Sequence, residues 1–128
     1  CMTGETDLTV LLSGLDARVR EGEFVFATTE LDLPAEARIV EREGTTLVLR
    51  RPDAEAAGLS HEAVFAWITL EVHSSLEAVG LTAAVSSVLA DAGVPCNMLA
   101  GYYHDHLLVP SERAAEALEL LRTLASGA

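Results

Sequence analysis

The spacing of apolar and polar positions changes along the chain, and each change marks an element. Phe65 to Val72 (FAWITLEV) is almost unbroken apolar, aromatic and β-branched sequence without Gly or Pro, which predicts a buried strand. His73, Ser74 and Ser75 interrupt it with hydrogen-bonding side chains. From Leu76 to Ala92 apolar residues recur at helical spacing, with Ala78, Leu81, Val85, Val88, Leu89 and Ala92 on one broad face. Ser74 or Ser75 is the natural N-cap, and Glu77 in the first turn suits the helix dipole. Gly93 is placed to end the helix in the left-handed conformation. A narrower stripe of small residues (Val79, Ala83, Ala90) would let another helix approach closely, either within the chain or across a dimer. Pro95 to Ala100 predicts a second strand, Gly101-Tyr102-Tyr103 a turn, and His104 to Val109 a third strand. A last helix follows Pro110, with Ser111 as N-cap and Glu112 in its first turn. Ala114, Ala117, Leu118, Leu121 and Leu124 line one of its faces.

The first sixty residues are patterned less sharply. Asp7 to Ser13 predicts a short helix, Leu15 to Val19 a brief strand, and Phe24 to Thr28 (FVFAT) a clear one. Leu31 to Glu36 reads as loop. Ala37 to Arg42 and Thr45 to Arg50 predict a hairpin across Glu43-Gly44, with Leu47 and Leu49 on one face and Thr46, Val48 and Arg50 on the other. That alternation implies a sheet covered on one side and mostly wet on the other. Pro52 to Ala57 predicts a short helix closed by Gly58.

Strand, polar loop, helix, strand, strand is the order that opens a ferredoxin-like βαββαβ unit. In that order, the loop HSSLEAVGL and the strand GVPCNMLAG resemble an ACT domain, a small regulatory module that binds amino acids and similar metabolites. The resemblance is carried by residues 65–109. It extends to the whole chain as a short protein of two tandem ACT-like halves, related to aspartate kinase regulatory domains. It implies an α+β fold of tandem ferredoxin-like (βαββαβ, ACT-type) units, with antiparallel sheets covered by helices on one face. The halves are expected at residues 1–60 and 61–128. No Gly/Ser-rich linker separates them, so they should share one packed interface. The resemblance implies a non-catalytic binding module, without a cofactor, that regulates an enzyme through a small-molecule effector.

Composition narrows this further. The chain has 128 residues and can bury roughly two-thirds of its unfolded surface. Its net charge of −12 leaves no basic patch for nucleic acid or an anionic membrane. No apolar run approaches the ~20 residues needed to span a bilayer. Cys1 precedes Met2, and Met2 reads as the natural start. Cys96 then stands alone in an apolar strand, as a reduced core thiol of a cytoplasmic protein would. Open sheet edges in such small units favour a homodimer.

Three groups of residues could carry chemistry. The loop His73, Ser74, Ser75, Leu76, Glu77, Ala78, Val79, Gly80 ends a strand and opens a helix, so free backbone N–H groups there suit a ligand carboxylate. ACT modules bind effectors at the equivalent loop, many with an Asp-Pro-Gly type turn where this chain has His-Ser-Ser-Leu. Cys96, Asn97 and Met98 form the second group. An Asn among apolar strand residues must be paired, by a neighbouring loop or by the ligand. In ACT pairs of aspartate kinases a similar strand meets the ligand across two domains, so the site is expected to need two domains or two chains. The ligand's ammonium is expected to meet strand carbonyls or side chains near Asn97 and Asp105. The third group is Tyr103-His104-Asp105-His106, whose histidines point the same way in a strand and could chelate zinc with His73 or Cys96. The competing reading is half-exposed histidines bonded to neighbours. A metal-binding protein, or an interaction module without a ligand, are the alternatives to an amino acid sensor.

Overall fold

A computed structural model describes residues 14–71 and 80–126. The elements in chain order are β1 Asp16–Val19, β2 Phe24–Thr28, β3 Ala37–Glu41, β4 Gly44–Arg50, α1 Arg51–Ala56, β5 Phe65–Glu71, α2 Leu81–Asp91, β6 Asn97–Ala100, β7 Asp105–Pro110 and α3 Ala114–Ser126. A 3₁₀ turn at Ser111–Arg113 precedes α3. The fold is the α+β, tandem ferredoxin-like arrangement that the sequence implies.

All the strands join one antiparallel sheet in the order β3-β4-β2-β5-β7-β6, with β1 laid against β5. β5 is the strand on which both halves build. β1 pairs with its far end, from Asp16↔Glu71 to Val19↔Ile68, and Arg20 N donates to Trp67 O at 2.8 Å. Pairing resumes at Phe24↔Phe65 after a bulge at Glu21-Gly22-Glu23. β1-β5-β7-β6 is the 4-1-3-2 order of a ferredoxin-like unit, but its fourth strand comes from the N-terminal segment. β3-β4-β2-β5 repeats that order with β5 in the fourth position. Each half thus borrows its last strand from the other, and β2 joins β5 at the junction through the single pair Phe24↔Phe65.

The faces of the sheet follow from the period of two. Ala66, Ile68, Leu70, Leu107 and Val109 meet Leu81, Val85 and Leu89 of α2 and Ala117 and Leu121 of α3. In the N-terminal half Val25, Ala27, Leu47 and Leu49 meet Ala54 of α1. No helix joins β2 to β3; Leu33 and Ala35 of that loop pack on the sheet instead. Burying each Leu, Ile or Val contributes about 1.5–3 kcal/mol against exposure.

Several expectations shift on the structure. The second face of the sheet is not wet at its centre: Phe24, Val48, Trp67 and Leu108 are buried there. The sequence pattern missed this because the cover is cationic. Arg20 lies 5.2 Å from the Phe24 ring centroid and 4.9 Å from that of Trp67, and Arg50 lies 5.1 Å from Phe24. The β3–β4 turn is Arg42-Glu43, one residue earlier than expected, because Gly44 pairs with Glu41 as the first residue of β4. α2 begins at Leu81, and Gly80 is its N-cap rather than a residue one turn in. Ser111 is not the cap of α3; it opens the 3₁₀ turn, and no side-chain cap bond forms. His104 precedes β7 instead of belonging to it. Ala83 and Ala90 of the small-residue stripe face solvent, so that stripe does not pack within the described chain. The expected helix at Asp7 to Ser13 and the capping serines Ser74 and Ser75 lie outside the described residues.

Candidate functional site

β5 leaves the sheet at Glu71, and the chain re-enters the described structure at Gly80. Gly80 has φ 100°, a left-handed conformation that a side chain strains to adopt, and it turns the chain into α2. Its carbonyl accepts from Ala84 N at 2.8 Å, and no side chain caps the first turn. The N–H groups that open α2 are therefore free of a side-chain acceptor from the cap residue. His73, Ser74, Ser75, Leu76, Glu77 and Val79 lie outside the described residues.

Asp105 stands at the end of the sheet from which this segment departs, paired with Leu70 on one side and Ala100 on the other. Asn97 stands at the far end of β6, opposite Leu108. Three register steps of ~3.4 Å separate it from the Ala100↔Asp105 pair, so the structure does not bring Asn97 and Asp105 together. Nor do Cys96, Asn97 and Met98 share a face. Cys96 and Met98 pack against the helix-side core. Asn97 is exposed on the other side, its Nδ2 at a long 3.5 Å from Leu108 O. Burial pushes the Cys96 thiol above its ordinary pKa, which makes it a weaker nucleophile.

The histidines sit beside the second face. Trp67 Nε1 donates to His106 Nδ1 and to Thr69 Oγ1, both at 3.2 Å, and Thr69 Oγ1 lies 3.0 Å from the same nitrogen. An indole N–H can only donate, so Nδ1 is the acceptor and the proton of the neutral ring is on Nε2. Burial, followed by His104, lowers the His106 pKa; Asp105 opposes this and Arg20 adds to it. The His104 and His106 rings are 6.4 Å apart between centroids. Among the described residues no three His, Cys, Asp or Glu side chains gather as a metal site. The Trp67–Thr69–His106 group has one signal in the sequence: Phe65, Trp67 and Thr69 alternate with the helix-side Ala66, Ile68 and Leu70.

Two family models match in tandem, an ACT domain over residues 3–66 and a second ACT domain over residues 62–123. The chain belongs to the ACT domain family. Among solved structures, this ACT protein is similar to a Vibrio cholerae protein of unknown function, described as a possible transport protein. The two share 44% identity over 92% of this chain and 95% of that one, with a TM-score of 0.85. An Agrobacterium tumefaciens protein matches at 16% identity over 87% and 89% of the two chains, with a TM-score of 0.63. Clostridium acetobutylicum aspartate kinase, described as an allosteric enzyme, matches at 9% identity over 90% of this chain and 35% of its own, with a TM-score of 0.65. The last two show the fold alone. No curated protein matches. Tandem ACT domains belong to regulatory, ligand-binding modules. Among the described residues no helix is long and apolar enough to cross a membrane.

Proposed function

We propose that this ACT protein is a non-catalytic regulatory module that binds a small metabolite, an amino acid in the first instance, and acts by changing an assembly. The observation that carries this reading is the pair of tandem ACT domains built on one sheet. The ligand's carboxylate meets the segment His73, Ser74, Ser75, Leu76, Glu77, Val79 and Gly80, where α2 begins without a side-chain cap. Its ammonium meets Asp105 at the same end of the sheet. Cys96 and Met98 support β6 from the core side, and Asn97 serves a neighbouring domain or chain instead of this one. The edge strands β3 and β6 lack a second partner in the described chain, which supports a homodimer that completes the site. A ligand then shifts the assembly only by its differential affinity for the two arrangements. The regulated partner is an enzyme, and the setting is the cytoplasm.

A thermal-shift screen against free amino acids and simple carboxylates tests this. A ligand at about a hundred times its Kd adds ~2.7 kcal/mol and raises the midpoint by several degrees. That shift is expected from one compound and is expected to shrink in Asp105→Asn. No shift with any compound at millimolar concentration would sink the reading. It would favour a ligand-free interaction module, for which the exposed, edge-to-face pair Tyr102 and Tyr103 is the natural contact.

A further inference from the structure

β2 and β5 pair at a single residue, Phe24↔Phe65, and then part. The cleft that opens between them has a volume of about 510 Å³, within the ~300–1,000 Å³ usual for ligand sites. Phe26 and Phe65, edge to face at 5.3 Å, form its apolar part, and Thr28, Thr46, Ser60, His61 and Glu62 its polar part.

The backbone of β2 gives the cleft its chemistry. Arg51 N donates to Glu23 O and Thr29 N to Thr45 O, so the odd-numbered residues of β2 turn their polar groups to β4. Phe24, Phe26 and Thr28 turn theirs the other way. Phe24 meets β5, but the N–H and C=O of Phe26 and Thr28 find no backbone partner among the described residues. In the wall, His61 Nδ1 is buried without a hydrogen-bond partner, while its Nε2 lies 3.5 Å from Glu55 Oε2. Unlike the open edges at β3 and β6, this free edge is walled on its far side by residues 60–63.

We propose that this cleft binds an extended peptide of two or three residues, neutral or cationic, which completes the ladder of β2. Phe26 and Thr28 stand two residues apart, ~6.8 Å, so one chain must supply donor–acceptor pairs at the same repeat to satisfy both. A single free amino acid reaches only one of them. Glu62, with no Arg among the described residues of the lining, sets the preferred charge. This site is independent of the effector site at Gly80 and Asp105.

The test uses the full ¹⁵N-labelled chain and the blocked peptide acetyl-Val-Lys-Val-amide, with acetyl-Val-Glu-Val-amide and free lysine as comparisons. In the free protein the Phe26 and Thr28 amides should exchange at least ~10-fold faster than those of Val25 and Ala27. Millimolar Lys peptide should slow both by ~10-fold or more, the Glu peptide and lysine should not, and Ala63→Trp should abolish the effect while leaving the spectrum otherwise folded. Ala63 is exposed, so the variant is expected to fold. Phe26 and Thr28 amides as slow as Val25 in the free protein would overturn the proposal, since residues 60–63 would then already fill the ladder. No protection by the Lys peptide would overturn it, as would equal protection by free lysine or by the Glu peptide. An amino acid that perturbs only the amides around Gly80 and Asp105 is the result expected of two independent sites, and Lys-peptide protection that disappears once that amino acid is bound would overturn the independence.

Discussion

His106 is a neutral ring held by the one donor that cannot reverse. A proton on Nδ1 would set two N–H groups against each other across the 3.2 Å contact with Trp67 Nε1. Its pKa is depressed, so between the folded value and the ordinary ~6.5 the unfolded chain binds more protons. Stability from this group is therefore present above about pH 6.5, falls as pH drops through that window, and levels off below the folded pKa. Urea unfolding from pH 8 to 5 should show that slope, and His106→Asn should flatten it; an unchanged slope would show that the titration lies elsewhere. Trp67→Phe keeps a ring but removes the donor, and the His106 pKa measured by NMR should rise toward the ordinary value. Close packing enforces the same geometry from the turn, since a Cβ on Gly101 would lie 2.7 Å from His104 O and 3.2 Å from His106 Nε2.

At the scale of elements, α2 and α3 are joined at their ends by Arg113. It donates to Gly93 O at 2.6 Å and Ala92 O at 3.0 Å, which satisfies carbonyls at the negative end of α2, and it pairs with Glu116. Arg113→Ala should cost about 1–2 kcal/mol, read as a lower urea midpoint at unchanged m-value. Gly93 as the end of α2 was legible in the sequence, because a left-handed stop needs only local chemistry. The start of α2 was not. Ser74 and Ser75 are good caps by type, but Gly80 takes the cap position at φ 100°, a choice set by how the chain must turn onto the sheet. The oddity of Asn97 in an apolar strand was visible in the sequence, whereas the β6–β7 register that parts it from Asp105 is a property of pairing.

At the scale of the molecule, the exchange of β1 and β5 between the halves makes the sheet cooperative. Residues 61–128 alone would lack β1 and leave the β5 edge, from Ile68 to Glu71, unpaired. That fragment should give a poorly dispersed NMR spectrum, while the full chain should melt in one transition by both far-UV circular dichroism and Trp67 fluorescence. Two separate transitions would mean the halves fold independently. The charge of −12 is a property of the whole surface. Raising salt from 10 to 150 mM shortens the Debye length from ~30 to ~8 Å, so the melting midpoint should rise through relief of self-repulsion.

Features that depend on neighbours along the chain were legible before any fold was known: the strand at Phe65, the helical face of Leu81, Val85 and Leu89, the Gly93 stop, and an order of elements sufficient to mark the ACT family. Period and turn chemistry are local, so one chain carries them openly. Tertiary structure alone decided which half owns each strand, that arginines rather than a helix roof Phe24 and Trp67, and that β2 and β5 part after one pair to leave a cleft. Those outcomes depend on contacts between residues tens of positions apart, where many pairings are compatible with the same alternation and only packing selects among them.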